Sequence, residues 1–175
     1  MALSEAGIGR IRELFSRYPD KRSAMLAALR IAQEEQGYVT EEAMGEIAVL
    51  LEQTPVQVYE TATFYTMFSL QPVGKHVIQV CRTLSCALVG ADGLVRYLEQ
   101  TLGIKAGETT PDGLFSLKTV ECLAACGAGP MMQINDDYYE YLTREKIDRI
   151  LADLKRDGRS SLATGPFVIP LGACP

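Results

Sequence analysis

Apolar residues recur three or four positions apart through the first part of the chain, in four segments separated by turn-forming residues. This spacing is typical of helices that each bury one face. The segments begin near Ser4, Lys21, Thr40 and Thr54, and serine and threonine are residue types that cap helix N-termini with a side-chain oxygen. The predicted inward positions are Ile8, Ile11, Leu14 and Phe15, then Met25, Leu26, Leu29 and Ala32, then Met44, Ile47, Ala48 and Leu51, and last Val58, Tyr59, Ala62 and Tyr65.

Turn residues also predict where these helices end. The first helix, from Ser4 to Arg17, stops before a Tyr-Pro-Asp sequence, and Gly37 supplies a left-handed end to the second. Pro55 suits the first position of the fourth helix, because the missing N–H of proline would be unpaired there anyway, and the pattern continues towards Met67. Four short helices predict a small antiparallel bundle over residues 1–74.

Beyond Gly74 the apolar positions begin to alternate, which indicates half-buried strands rather than helices. The predicted strands are His76–Cys81, Leu114–Glu121, Met131–Asn135 and Tyr138–Leu142, the last two forming a hairpin that turns at residues 135–137. One helix is predicted between the first two strands, marked by Leu88, Leu94, Val95, Leu98 and Leu102 and closed by Gly103. A second, capped by Thr143, follows the hairpin through Leu154.

The order strand, helix, strand, strand, strand, helix resembles a thioredoxin-like arrangement, in which helices cover a short sheet. The sequence therefore predicts an α+β fold, with an N-terminal antiparallel helical bundle (1–74), a thioredoxin-like α/β domain (75–157) and an irregular C-terminal tail (158–175). The tail contains Phe167, Val168, Ile169 and Leu171 without a period, and we expect it to lie along another surface.

Four of the five cysteines fall in two close pairs. Cys81 and Cys86 form a C-x4-C pair, and after thirty-five residues Cys122 and Cys126 form a C-x3-C pair. Such spacing lets each loop direct two sulfurs at one centre, and four thiolates suit either structural zinc or a 2Fe-2S cluster. The small residues around the second pair, Ala124 to Gly129, favour iron and sulfide, because they let backbone amides approach sulfur.

Composition narrows the functional classes. With 175 residues, 47% of them hydrophobic, and a net charge of -5, the chain can bury a core but offers no basic surface for nucleic acid. No apolar run approaches the roughly 20 residues of a membrane-spanning helix, and Met1–Arg10 lacks the features of a signal peptide. We therefore expect an intracellular protein in which cysteines bind metal rather than form disulfides. Cys174, outside the pairs, is expected to be a free thiol.

With both pairs placed, the stretch AGETTPDGLFSLKTVECLAACGAGPMMQINDDYYEYLT, residues 106–143, resembles the small 2Fe-2S subunit of the NADH-oxidising arm of respiratory complex I. The resemblance extends upstream through VYETATFYTMFSLQPVGKHVIQVCRTLSC, residues 58–86. It implies a thioredoxin-like 2Fe-2S ferredoxin domain in which Cys81, Cys86, Cys122 and Cys126 ligate one cluster, with no catalytic residue in this chain. All-thiolate ligation implies a low potential, on the order of -400 mV if it behaves like plant-type centres.

The same resemblance implies partners. A larger flavoprotein would bind FMN and NADH, and further subunits of the peripheral arm would place the chain on the cytoplasmic side of a bacterial inner membrane without inserting it there. NADH gives up a hydride, whereas a 2Fe-2S cluster accepts one electron, so a flavin must stand between them. Gly127-Ala128-Gly129 lacks the third glycine of a dinucleotide fingerprint and is interpreted as a turn.

Three functional hypotheses follow. The first is an electron-transfer subunit of a multi-subunit NADH dehydrogenase, either complex I or the NAD-linked module of a hydrogenase or formate dehydrogenase. The second is a free-standing ferredoxin, which the helical extension disfavours, and the third is a zinc-stabilised interaction module. A native co-purification would separate complex I from a hydrogenase assembly.

Several other residues have ordinary structural interpretations. His76 is expected to be a surface or packing residue. Phe64, Tyr65 and Phe68, near Met67, are expected to be core in preference to a docking surface. Ordinary strand preference accounts for Tyr138, Tyr139 and Tyr141.

Overall fold

A computed structural model describes residues 2–166, and the chain divides into two compact units whose boundary lies between Pro72 and Val73. The first unit is helical. The second contains a five-stranded sheet and three α-helices within the described residues. No helix in the part of the chain that the structure describes is both long and apolar enough to cross a membrane.

Four α-helices make up the first unit, as the apolar spacing predicts. They are α1 (Glu5–Leu14), α2 (Met25–Gln36), α3 (Glu41–Leu51) and α4 (Pro55–Phe64), with a 3-10 turn at Arg22–Ala24 before α2. The three predicted caps are confirmed, because the hydroxyls of Ser4, Thr40 and Thr54 each accept a hydrogen bond from a backbone amide of the first turn. Gly37 ends α2 in a left-handed conformation, also as predicted.

The core of the first unit lies along one face of each helix. Most predicted inward positions are buried, among them Ile11, Leu29, Ile47 and Val58. The prediction was wrong for three positions, Leu26, Tyr59 and Tyr65, which are 40% to 51% exposed. Leu26 and Tyr59 directly follow the buried Met25 and Val58, and neighbouring helix positions point about 100° apart.

Two helices of the first unit end earlier than predicted, and α2 begins at Met25 rather than near Lys21. α1 ends at Leu14 rather than Arg17, and α4 ends at Phe64 rather than near Met67, because the backbone becomes extended at Tyr65. The loop after α4 turns Phe68 inward, where it is 6% exposed, while Phe64 and Met67 remain outside at 77% and 53%. The core interpretation of this aromatic cluster is therefore confirmed for Phe68 alone.

The second unit follows the predicted order of elements. Its elements are β1 (His76–Cys81), α5 (Leu84–Leu88), α6 (Ala91–Leu102), β2 (Phe115–Val120), β3 (Met132–Ile134), β4 (Asp137–Tyr139), α7 (Arg144–Asp157) and β5 (Gly165–Pro166), with a 3-10 turn at Cys126–Ala128. The strand order is β2-β1-β3-β4-β5, with β1 and β2 parallel and the other neighbours antiparallel. This confirms the predicted α+β class and the crossover followed by a hairpin.

Several details of the second unit differ from the sequence prediction, and β2 and β3 are each one residue shorter at both ends than predicted. The helix expected from Leu88 is two helices, because Gly90 adopts a left-handed conformation with φ 98° between α5 and α6. Leu88 consequently lies outside at 77% exposure. The second hairpin strand ends at Tyr139, so Tyr141 lies beyond it. β5 was not predicted, since two residues are too short to show alternation, and the apolar tail positions 167–171 lie outside the described residues.

The core of the second unit lies between the sheet and the helices α6 and α7. It is built from buried residues of the central strands and helix faces, including Ile78, Leu98, Leu117 and Ile150. His76 at the start of β1 is buried beside Phe115, with ring centroids 5.5 Å apart, so it is a packing residue. The parallel pairing of β1 and β2 brings their carboxyl ends to the same edge, with Cys81 opposite Val120.

Candidate metal centre

Both cysteine loops leave the sheet at this edge. Cys81 is the last residue of β1, and its backbone N–H donates to the carbonyl of Met131, the residue before β3, at 3.2 Å. Arg82 donates to the carbonyl of Val120, the last residue of β2, at 3.0 Å, so Cys122 follows two residues beyond this contact. The register of three strands thus fixes where the first pair and the second pair begin.

The first pair is buried. Cys81 and Cys86 are 2% and 1% exposed, and they pack with Ala91 and Met131 in a small apolar cluster. Cys86 lies in α5, which begins after Thr83. The hydroxyl of Thr83 and the sulfur of Cys81 are 3.3 Å apart, and the Cys81 thiol also lies 3.3 Å from the carbonyl of Glu121.

The second pair is exposed. The sulfurs of Cys122 and Cys126 are 3.8 Å apart, a separation that suits two ligands of one metal ion. Between them Ala124 adopts a left-handed conformation with φ 62°, and its N–H donates to the Cys122 sulfur at 3.3 Å. The small residues of this loop predict contacts between backbone amides and sulfur. The contact between Ala124 and Cys122 is one of these.

Gly129 is a second place where a small residue meets a cysteine. A Cβ atom at this position would lie 3.3 Å from the sulfur of Cys86 and 3.2 Å from a methyl group of Val89. Both separations are tight, so a side chain at residue 129 would push against the first pair, and glycine lets the chain after the second pair approach it closely. The segment from Cys126 to Gly129 therefore connects the exposed pair to the buried one.

The thiols influence one another's ionisation. Burial raises the pKa of Cys81, but hydrogen bonds from Thr83 and Leu123 outweigh it and hold that pKa below its usual value. Burial, reinforced by the neighbouring Cys81, raises the pKa of Cys86 to about 11. The hydrogen bond and charge of Cys122 raise the pKa of Cys126, and the charge of Cys81 acts in the same direction. Four thiolates here need cationic partners to coexist, which bound metal supplies.

Zinc and a 2Fe-2S cluster place different demands on the four cysteines. Among residues 2–166 no three His, Cys, Asp or Glu side chains are gathered closely enough to hold a single ion. A structural zinc site needs four ligands around one ion, whereas a 2Fe-2S cluster takes two cysteines on each of two irons. One buried pair and one exposed pair match the two-by-two ligation of a binuclear cluster.

Two further residues at this site were not predicted from the sequence. Thr83 lies beside the Cys81 sulfur, and the phenol of Tyr138 donates to the carbonyl of Leu123 at 2.7 Å. The sequence carries a weak signal for Thr83, which lies two residues after a cysteine. It carries none for Tyr138, which strand preference already explained. His76 lies at the opposite end of β1 from Cys81.

A thioredoxin-like sheet with two cysteine pairs at one edge defines an iron–sulfur electron carrier. The chain belongs to the thioredoxin-like [2Fe-2S] ferredoxin family, whose model matches residues 11–155. Membership confirms the predicted fold class and a cofactor of one 2Fe-2S cluster.

Individual relatives of the chain indicate a narrower class of protein than the family does. It is 48% identical over 140 residues to an E-type subunit of the NADH-quinone oxidoreductase of Rhizobium meliloti, covering 80% of this chain and 83% of that protein. It is 45% identical over 152 residues to NADH-quinone oxidoreductase subunit 2 of Thermus thermophilus, covering 85% and 84%. These relatives confirm the resemblance found in the sequence and the electron-transfer class of the chain.

A solved structure supports the fold. An NAD+-reducing [NiFe]-hydrogenase in the H2-reduced state superposes with a TM-score of 0.68 at 21% identity, over 77% of this chain and 22% of the hydrogenase chain. At this identity the similarity concerns the fold alone.

Proposed function

We propose that the chain is the small iron–sulfur subunit of an NADH-quinone oxidoreductase and that Cys81, Cys86, Cys122 and Cys126 hold its cluster. The observation that supports the ligand assignment is the position of the two loops: Cys81 ends β1, and Cys122 follows β2 by two residues, at the carboxyl ends of two parallel strands. The approach of Gly129, three residues after Cys126, supports it, because a Cβ atom at Gly129 would lie 3.3 Å from the sulfur of Cys86.

The four ligands have unequal tasks in this proposal. When bound, a 2Fe-2S cluster accepts and releases one electron at a time. Cys81 and Cys86 anchor it from the interior and exclude water from that side, since both are buried. Cys122 and Cys126 are exposed and hold the side that faces solvent or a partner, so the electron enters and leaves there.

A partner flavoprotein follows from the chemistry of NADH. Hydride transfer needs a two-electron acceptor, and the sequence has no dinucleotide fingerprint, so the flavin and the NADH site belong to another polypeptide. The surface around the cysteine loops is suited to such a partner. Leu84, Leu88 and Val89 are 54% to 77% exposed beside Cys86, and Tyr141 is exposed where its N–H donates to the carbonyl of Ala128. Exposed apolar patches of this kind mark interaction sites.

The helical unit has an assembly function in this proposal. Its described residues contain no cysteine, but α4 has apolar side chains on two opposite faces. Val58 and Ala62 are buried, while Val56, Tyr59 and Phe64 are exposed and form what we call the α4 outer face. We infer that this face binds another component of a peripheral arm on the cytoplasmic side of a bacterial inner membrane.

The test is the metal content and spectrum of the purified full chain. We expect two irons and two acid-labile sulfides per chain, visible absorption, and a paramagnetic signal after reduction. Cys122→Ala should abolish that signal, because it removes a ligand, whereas Cys174→Ala is the matched control and should leave it intact. A colourless protein that contains zinc would refute the proposal, and so would a normal signal in Cys122→Ala.

A further inference from the structure

Tyr138 on β4 makes a contact with the exposed cysteine loop that the sheet does not require. Its hydroxyl donates a hydrogen bond of 2.7 Å to the carbonyl oxygen of Leu123. Leu123 directly follows Cys122, so the bond is one residue beyond a proposed ligand. The ring of Tyr138 is half-buried against the cluster of Cys81, Cys86 and Met131.

The position of Tyr138 is fixed by the strands on both sides of it. In the sheet it pairs with Gln133 of β3 and with Gly165 of β5. Its carbonyl oxygen accepts from the backbone N–H of Thr164 at 2.8 Å and from the Thr164 hydroxyl at 3.2 Å. The backbone at Tyr138 is therefore fixed by hydrogen bonds on both sides. A side chain on a fixed backbone can hold a neighbouring loop in one orientation.

The bond acts on one particular peptide group. The carbonyl of Leu123 and the N–H of Ala124 belong to the same planar unit, so a partner that orients one orients the other. That N–H donates to the Cys122 sulfur at 3.3 Å. Tyr138, the Leu123–Ala124 peptide and the Cys122 sulfur thus form a continuous hydrogen-bonded chain, and hydrogen bonds in such chains polarise one another.

The loop conformation needs support of this kind. Ala124 has a positive φ of 62°, which a residue with a side chain adopts only when its surroundings impose it. Without a contact to the Leu123 carbonyl, the peptide can rotate and the N–H can turn away from sulfur. The Ala124 contact to Cys122 then weakens.

We propose that Tyr138 is a positioning residue that raises the reduction potential of the cluster by holding the Leu123–Ala124 peptide against the sulfur of Cys122. The inference rests on the proposed function, since it takes Cys122 as a ligand. Reduction adds negative charge to the cluster and its sulfurs, and an N–H that points at sulfur stabilises that charge. Removing the hydroxyl of Tyr138 weakens this contact and favours the oxidised form.

Three Tyr→Phe variants of the full chain with its cluster test the inference. Tyr138→Phe removes the hydroxyl and keeps the ring. Tyr139→Phe changes the next residue, which points to the opposite face of β4 and is buried in the main core. Tyr141→Phe changes an exposed tyrosine beyond the strand. The readouts are the midpoint potential, the g-values of the reduced state, the rate of iron loss to a chelator, and the thermal unfolding midpoint.

We expect a more negative midpoint potential, altered g-values and about tenfold faster iron loss in Tyr138→Phe alone. Wild-type potential and g-values in Tyr138→Phe would overturn the inference. An equal change in Tyr139→Phe would also overturn it, because a general loss of stability would then be the cause. A wild-type chain with no cluster signal would instead refute the proposed function, and the inference with it.

Discussion

At the scale of single residues, His76 is a buried histidine with a ring nitrogen that makes no hydrogen bond within the described part of the chain. It is 3% exposed, and its Nε2 atom is buried without a hydrogen bond among the described residues. Burial, with a smaller effect from the neighbouring charge of Lys75, lowers the pKa of His76 below 6.5. The folded state therefore prefers neutral His76.

The sign of the pH dependence follows from this preference. The unfolded chain takes up the proton first as the pH falls, so stability is complete above about 6.5 and decreases towards the lower folded pKa. We expect His76→Leu to weaken the loss of stability between pH 7.5 and pH 5.5, measured as the free energy of unfolding in urea. An unchanged pH dependence in this variant would show that another group is responsible. The carboxyls with a lowered pKa, such as Glu34, titrate below this range.

Residue patterns predict the four cysteines as ligands but not the side chains that position their loops. The spacing of Cys81, Cys86, Cys122 and Cys126 is visible in the sequence because ligand pairs are local. The contact between Tyr138 and Leu123 is not, since it depends on where β4 lies relative to a loop fifteen residues earlier. Likewise, the spacing that places Val58 in the core does not show that the adjoining Tyr59 is exposed, because both are apolar.

At the scale of elements, α4 offers a test of assembly separate from stability. Phe64 on the α4 outer face is 77% exposed, whereas Val58 on the opposite face is fully buried. We expect Phe64→Ser to weaken association with the partner proteins and to change stability by less than about 0.5 kcal/mol. Val58→Ala should lower the free energy of unfolding by on the order of 2 kcal/mol. Pull-down and urea unfolding measure the two effects.

The control for this experiment is Leu26→Ser, since Leu26 is an exposed leucine on α2 rather than on α4. It should bind like the wild type. Undiminished binding by Phe64→Ser would show that the α4 outer face is not an interface.

Elements with a long sequence pattern were predicted well, and elements that depend on one or two residues were predicted poorly. Helices with a cap and a repeated apolar face, such as α3 and α7, begin at the predicted residues. The break between α5 and α6 depends on a single left-handed glycine, Gly90, and glycine also occurs within uninterrupted helices. β5 has two residues, and its pairing with β4 is a long-range fact that no local pattern carries.

At the scale of the whole molecule, the proposed function makes the chain dependent on its partner. We expect NADH to leave the absorption of the cluster unchanged when the chain is alone, because nothing in it accepts a hydride. Anaerobic addition of NADH should bleach the absorption once a flavin-containing partner is present. Dithionite provides the positive control for reducibility. Bleaching of the flavin-free chain by NADH would reveal a nucleotide site and refute this division of tasks.

The crossover between β1 and β2 has a consequence for folding. Thirty-five residues separate the two cysteine pairs, so in the proposed site four sulfurs can bind one cluster only after a long loop has closed and the strands have paired in register. Metal bound at this site is therefore absent from the unfolded chain, and its binding free energy adds to the folding free energy of the second unit. In this proposal the cluster holds the two loops and their strands together. A chain that loses the cluster loses thermodynamic stability as well as its ability to carry an electron.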